Sequence, residues 1–493
     1  MTLTTPPESV LAGRREWTAL GVLMLPLLLV SMDVSVLYFA IPSISADLHP
    51  GATAQLWILD MYGFVLAGLL ITMGALGDRV GRRKLLLGGA ALFGLASVAA
   101  AYADSPGSLI AARALLGVAG ACLMPSTLAL IRTLFRDEAQ RAKAVTLWTT
   151  VMASGISLGP VVSGALVEHF WWGSVFLINL PAMGLLLVLG PALLPESKGA
   201  AARSRFDWTS ALLSLAALLP LIHGIKELAK DGWRPLPALA VTTGLLIALV
   251  FLRRQTRLAE PMVDLALLRK RAYGGSLLVN LLAMVATVGS AVFLTQYLQS
   301  VLGQSPLEAA LWSLAPSAGV MVAAPTAAAL ARRVDRAYVM TGGFLLAAAG
   351  FASLTLIGAD TPLAAVLTGA TVYISGLVSA MTLANESALG AAPPERAGAA
   401  AAVLESGTEL GGALGMAVLG SIGAAVYTAE MPATAPAAAR ETLGGALTSS
   451  PGPVLDAARD AFTAALNWAS GGAAVVTLLA AVLSSALLRG RRT

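Results

Sequence analysis

The stretch from Leu23 to Pro42, "LMLPLLLVSMDVSVLYFAIP", would sit in lipid along its whole length but for Asp33. A carboxylate at that depth costs about 2.5 kcal/mol or more on insertion scales. Asp33 therefore reads either as a proton or cation site or as one half of a structural pair with a neighbouring helix. Five further charges fall inside apolar runs: Asp60, Arg113, Glu386, Glu405 and Glu409. Charges so placed normally face a cavity and serve ions or ligands.

Spacing sorts them further. Trp57 and Phe64 flank Asp60 at one helical turn on either side, so the three share a face. A carboxylate beside aromatic rings suits a lipophilic cation, through charge and through the attraction of cations to ring faces. Glu405 and Glu409 are four residues apart and form a coupled pair that titrates as a unit. Arg113 either counters one of these carboxylates or anchors the bundle. Trp148, Tyr297, Gln296 and Met152 are placed to line a cavity, although aromatic and methionine positions also serve as packing. His223 and Glu227 suggest no relay and read as structural. With one cysteine, Cys122, and three scattered histidines, neither a disulfide framework nor a metal cluster is expected. There is no nucleophile–base set and no nucleotide-binding glycine loop, which argues against an enzyme and against direct drive by ATP.

The elements that must hold these groups are helices in a membrane. The 493 residues are 57% hydrophobic and 12% charged, with mean hydropathy +0.79. A soluble chain carries about twice that charged fraction. The apolar residues come in blocks of about 20, the length that spans a bilayer as a helix, and lack the alternation of barrel strands. The reading is all-α and polytopic. Fourteen spans are expected, near 17–42, 54–77, 84–104, 107–132, 143–167, 173–194, 208–227, 236–254, 274–302, 306–331, 338–358, 362–389, 398–427 and 462–488. The first is too long for a cleavable signal core and follows Arg14 and Arg15, so it reads as a span.

Lys and Arg mark the cytoplasmic loops. With the N-terminus inside, the far side holds only Lys226, Lys230, Arg234, Arg440 and Arg459, and Arg113 lies within a span. Every other Lys and Arg falls on the near side, including Lys198, Arg203, Arg205, Arg396, Arg489, Arg491 and Arg492. Both termini are therefore expected to be cytoplasmic. The loops account for the net charge of +5, so no nucleic-acid partner is called for. The layout is six spans (1–194), a linker with two more (195–273), and six again (274–493), with an external loop at 428–460. A faded repeat supports the duplication: "ALGDRVGRR", Ala75–Arg83, aligns with "ALARRVDRA", Ala329–Ala337.

"GALGDRVGRRKLL", Gly74–Leu86, is the most specific signal. Gly77 and Gly81 suit a tight turn. Asp78 is placed to cap the incoming helix, and Arg79, Arg82 and Arg83 hold the loop at the surface. This stretch resembles the loop 2–3 signature of the major facilitator superfamily. "RALLGVAGA", Arg113–Ala121, resembles the family's helix-4 motif, and "SGISLGPVVSGAL", Ser154–Leu166, the helix-5 motif of its drug antiporters, with Gly155, Gly159, Pro160 and Gly164. "MDVSVLYFAIP" (Met32–Pro42), "FLINLPAM" (Phe176–Met183) and "PPERAGAAAAVLESGTELGGALGMAVLGS" (Pro393–Ser421) resemble the fourteen-helix drug:proton antiporter-2 family. Departures are Phe39, where that family usually has Asn, and Ser163, where a second Gly is common. Asp60, in "LWILDMYGF", is similar to the quaternary-ammonium-compound efflux pumps of the family.

The resemblance implies a major facilitator fold with 14 transmembrane helices in a 6+2+6 arrangement. It implies a proton-coupled antiporter in the cytoplasmic membrane that exports lipophilic, cationic drugs, antiseptics or dyes. The alternative is a dedicated exporter of one metabolite or antibiotic. Expected partners are small lipophilic cations, protons and membrane lipid. The protein is expected as a monomer, without cofactor or metal, driven by the proton gradient.

Overall fold

A computed structural model describes residues 11–197, 207–231, 234–258, 265–358, 361–392, 397–449 and 452–488. Of the basic residues above, Lys198, Arg203, Arg205, Arg396, Arg489, Arg491 and Arg492 lie outside the described residues, as does much of the first linker. No strand occurs among the described residues. In chain order the helices are α1 (Arg14–Leu48), α2 (Ala52–Val80), α3 (Arg82–Ala101), α4 (Pro106–Leu134), α5 (Glu138–His169), α6 (Ser174–Leu177) and α7 (Asn179–Leu193). The inserted pair is α8 (Trp208–Asp231) and α9 (Pro235–Gln255). Then come α10 (Leu265–Leu268), α11 (Arg271–Gln296), α12 (Pro306–Trp312), α13 (Ala315–Leu330), α14 (Arg336–Leu354), α15 (Leu363–Ala391) and α16 (Ala397–Glu430). The chain closes with α17 (Ala437–Glu441), α18 (Leu443–Ser449) and α19 (Pro453–Leu488).

Local chemistry sets the boundaries. Ser105 caps α4 ahead of Pro106, a residue suited to the first turn because it has no N–H to satisfy. Asp137 caps α5 by accepting from Gln140 N at 2.9 Å, and Ser305 and Glu308 form a reciprocal capping box on α12. Between α2 and α3 the chain turns on Gly81 alone, at φ 118°, a conformation that costs a side chain dearly.

Among the described residues thirteen helices are long and apolar enough to cross a membrane, against the fourteen spans expected. The difference is α5. Its 32 residues span about 48 Å at 1.5 Å per residue, ample for a bilayer. Its residues 150–167 carry no charged side chain, in keeping with the span expected over 143–167. Two other spans are interrupted. The sixth breaks at Ile178 into α6 and α7, and the tenth breaks after Trp312 and resumes at α13, where a proline occupies the first turn. The segment expected as a polar external loop is largely folded. Its Met431, Ala435, Ala439, Leu443 and Ala446 are buried, and Tyr427 donates from its hydroxyl to Ala439 O at 2.8 Å.

Two large cores result. One is built from α1 to α7, with Val292 and Met416 joining from the later half. The other is built from α11 onwards to α19. The halves meet where α2 packs on α16 and where α5 packs on α12. The closest approaches lie at the end of the bundle opposite the Gly81 turn. A methyl on Gly420 would sit 2.7 Å from Leu56, Gln299 donates to Phe39 O at 3.4 Å, and Leu307 N donates to Glu168 at 3.2 Å.

Candidate functional site: a charge cluster where the halves meet

Asp33 is not alone. It is buried on α1 and forms an ion pair with Arg113 of α4, itself fully buried. Arg113 also donates from Nε to Ile58 O at 3.1 Å and from Nη2 to Leu59 O at 3.4 Å. Its guanidinium carbon stands 4.8 Å from the centroid of Tyr62, whose hydroxyl donates to Val30 O at 3.3 Å. One guanidinium thus ties α4 to α1 and α2. The cost of burying each charge is offset by the other and by these further contacts. Neutralising Asp33 would therefore strand a buried cation.

Asp60 lies buried on α2 two residues before Tyr62. Trp57 and Phe64 do share its face, with ring centroids 6.2 Å apart and edge-on. From the other half, Glu409 on α16 points at this helix: a methyl on Gly63 would sit 3.9 Å from Glu409 Oε2. Asp60, Glu409 and Arg113 all lie within electrostatic reach of Tyr38, and Asp33, Glu409 and Arg113 within reach of Tyr62. Glu405 acts on Glu409 in turn. Asp33, Asp60, Glu409 and Arg113, from α1, α2, α16 and α4, therefore surround two tyrosines, with Glu405 one helical turn from Glu409. Such a cluster, with three acids beyond the fixed Asp33–Arg113 pair, has the chemistry to take up a proton and a cation at once.

Other candidates have different places. Glu386 on α15 does not join this cluster: it is half-exposed and pairs with Arg336 at 3.6 Å. Tyr297 is buried and gives its hydroxyl to Gly358 O at 2.8 Å, within the second core. Trp148 donates to Thr127 at 3.1 Å, bracing α5 on α4. On α5, Gly155 and Gly159 meet α1: methyls there would strike Ser31 and Ser35, and the one on Gly155 would lie 2.7 Å from Leu28 O. Gly164 meets α12 instead, with Pro306 O at 2.7 Å. Pro160 lies inside this helix.

In the loop between α2 and α3, Asp78 does not cap α3, whose N-cap is Gly81 with no side-chain bond. Asp78 lies in the last turns of α2 and pairs with Arg82 at 2.7 Å. Arg82 also donates to Ala129 O at 3.2 Å, at the end of α4. Arg83 reaches Pro191 O at 3.1 Å and Leu194 O at 3.0 Å, and Glu196 accepts from Arg83 N at 3.2 Å. A methyl on Gly81 would collide with Glu196. Gly74 lets α2 approach Pro125 of α4, and Gly77 stands against Leu85. Arg79 is half-buried in the last turn of α2. Sequence reasoning missed Glu196, Tyr38 and Tyr62. The signal for Glu196 was a lone acid directly after a span, opposite a cluster of arginines.

Two helical cores with a charge cluster at their junction, carried on helices of membrane-spanning length, define a multi-pass membrane transporter. The Major Facilitator Superfamily model matches residues 23–416, and the chain belongs to that superfamily. It is similar to the multidrug efflux pump LfrA of Mycolicibacterium smegmatis, 40% identical over 496 residues and covering 98% of each chain. It is also similar to the methyl viologen resistance protein SmvA of Salmonella typhimurium, 34% identical over 95% of this chain and 97% of that one. Among solved structures, a bacterial homolog of the human lysosomal transporter Spinster, inward-facing and occupied, matches with TM-score 0.65 at 18% identity, over 97% of this chain and 98% of that one. That likeness concerns the fold alone.

Proposed function

We propose that the protein is a proton-coupled antiporter that exports lipophilic cations across the cytoplasmic membrane, with both termini inside. The observation that carries this reading is the gathering of Asp33, Asp60, Glu405 and Glu409 with Arg113 at the junction of the halves. Asp33 and Arg113 form the fixed pair that shapes the site. Glu409 and Glu405 exchange the proton. Asp60, with Trp57 and Phe64, receives the cation. No cofactor is needed, because the proton gradient supplies the work. The names of the two relatives support export of varied compounds, and methyl viologen, the compound in one of those names, is a dication.

The test is purified protein in proteoliposomes with an imposed pH gradient and a quaternary-ammonium dye. Uphill dye movement that stops when the gradient is collapsed is expected. Dye movement indifferent to the gradient would overturn proton coupling. Glu409→Gln and Glu405→Gln should each shift the pH dependence of the rate, since the pair titrates as a unit. Unchanged profiles in both would remove the pair from the coupling scheme. A wild type that moves no cation in a broad panel would instead identify a dedicated exporter of a single metabolite.

A further inference from the structure

Between the charge cluster and the end where the halves are joined, α2, α11, α16 and α19 enclose a cavity. On α2 its lining face carries Ala52, Gln55, Leu56 and Leu59. One turn further along that face lies Gly63, where Glu409 approaches. On α16 the lining runs from Tyr427 back to Met416, which is two turns from Glu409, or about 10 Å at 1.5 Å per residue. Cavity and cluster therefore follow one line between α2 and α16. The folded external segment closes over the far end with Glu441, Thr442 and Leu443. The Glu441 carboxylate stands 2.7 Å from where a methyl on Gly51 would be.

The walls are more than a gap in packing. Gln296 of α11 lines the cavity and is only 8% exposed, yet its amide makes no hydrogen bond among the described residues. An amide at that depth normally finds a partner, and the space left to this one is the cavity. Phe293 and Phe462 also line it, with ring centroids 5.8 Å apart and tilted by 39°. Phe293 is seated against Gly423, where a methyl would strike its ring. Tyr427 adds a third ring, its hydroxyl taken up by Ala439 O at 2.8 Å. Among the described residues no Lys, Arg or His lines this space. Ring faces attract a cation that brings no hydrogen-bond donor of its own, and an amide oxygen and a carboxylate add to that attraction.

We propose that this cavity is a second binding site for lipophilic cations, which receives the substrate after it leaves Asp60 and before it reaches the outer solution. The proposal rests on the reading of the protein as an exporter of lipophilic cations. A cation moving outward from Asp60 leaves a carboxylate behind and enters a passage between mostly apolar helix faces, where a bare charge is costly. Gln296 and the rings of Phe293 and Phe462 offset that cost. Glu441, exposed at the outer rim, draws the cation on. With one solvated carboxylate this outer site binds more weakly than the inner cluster, as a site on the way out must if the substrate is to leave.

The test is local protection in full-length protein whose single cysteine, Cys122, is replaced by alanine. Ala424 lines the cavity, and Ala424→Cys should be alkylated by N-ethylmaleimide. Tetraphenylphosphonium, a lipophilic monocation, at about ten times its dissociation constant should slow that reaction about tenfold, since only the empty cavity reacts. Protection should persist with Asp60→Asn, which disables the inner cation face. Gln296→Leu, similar in size and free of the unpaired amide, should raise the tetraphenylphosphonium concentration needed for protection about tenfold. Glu441→Gln, at an exposed position, should raise it about threefold. These measurements need neither a proton gradient nor transport, so a protein that is protected yet moves no dye keeps the site and loses the export reading alone. Absence of protection, or a position 424 that never reacts, would overturn the outer site. Protection abolished by Asp60→Asn but unchanged by Gln296→Leu and Glu441→Gln would also overturn it, because the inner cluster would then be acting at a distance.

Discussion

At the scale of single residues, the decisive fact is that the intramembrane charges are not equivalent. Asp33 and Arg113 compensate each other in a site with almost no exposure, so Asp33→Asn leaves a buried guanidinium without its anion. Breaking a buried pair from one side typically costs about 3–5 kcal/mol. The remaining bonds from Arg113 to Ile58 O and Leu59 O place the expected loss at the lower end. Thermal unfolding of the purified variant should show it, and Asp33→Asn/Arg113→Gln should recover part of the melting temperature. A melting temperature equal to wild type in the single variant would mean the pair contributes nothing. Asp60 belongs to a different set, facing aromatic rings and, across the halves, Glu409. Asp60→Asn should weaken export of bis-quaternary compounds more than mono-quaternary ones, by about 5–150-fold for a lost pairing of about 1–3 kcal/mol. Paired efflux assays at matched expression measure this, and equal loss for both classes would assign Asp60 to helix support.

At the scale of elements, small residues decide how closely helices approach. Gly155→Ala should push α5 off α1, because the new methyl strikes Ser31 and lies 2.7 Å from Leu28 O. Overpacking of this kind costs about 1–3 kcal/mol. Gly184→Ala on α7 meets nothing within 4 Å and serves as the control, expected to be neutral or slightly stabilising. Unfolding temperatures of the two variants side by side check the contrast. The α8–α9 hairpin is held at its base by Asp207, which caps α8 through Ser210 N at 3.0 Å and pairs with Arg254 at 2.7 Å. Burial alone would push the Asp207 carboxyl up, but the bonds from Arg254 and Ser210 outweigh it and hold it below the usual carboxylate range. Its folded value lies under the unfolded one of about 3.9. Its contribution is therefore full above that pH and is lost as pH falls through the folded value. Wild type should lose stability on acidification through that window more steeply than Asp207→Asn, and parallel curves would exclude the clamp.

For the whole molecule, the two halves are joined at the end away from the Gly81 turn. Leu56 on α2 and Gly420 on α16 touch at the joined end. A transporter that alternates must part them to release its substrate. A Leu56→Cys/Gly420→Cys disulfide in the Cys122→Ala background should therefore stop export, with recovery on reduction. Export that continues in fully cross-linked protein would mean that this contact stays closed through the cycle.

The fold class was legible in the sequence because hydrophobic burial in a bilayer leaves its mark residue by residue. Blocks of about 20 apolar residues admit only helices or closed barrels, and the acids inside them stood out for the same reason. Asp60, Trp57 and Phe64 could be placed together because they lie on one helix, where spacing alone fixes geometry. The glycines of α5 could likewise be read as points of close helix approach. The partnership of Asp33 with Arg113, 80 positions apart, could not be fixed that way, nor could the separation of Glu386 from the other acids. Both depend on which helices become neighbours, which is settled by side-chain fit over entire surfaces. For Asp78 spacing allowed a cap, and the turn at Gly81 places Arg82, four residues on, beside it instead. Nothing in the sequence of the inserted pair said which helices it would pack against. Its position across the α2–α16 seam arises from packing, through Leu215 on Gly68 and Ile222 on Phe64, because an apolar helix face states that it must be buried or in lipid without stating against what.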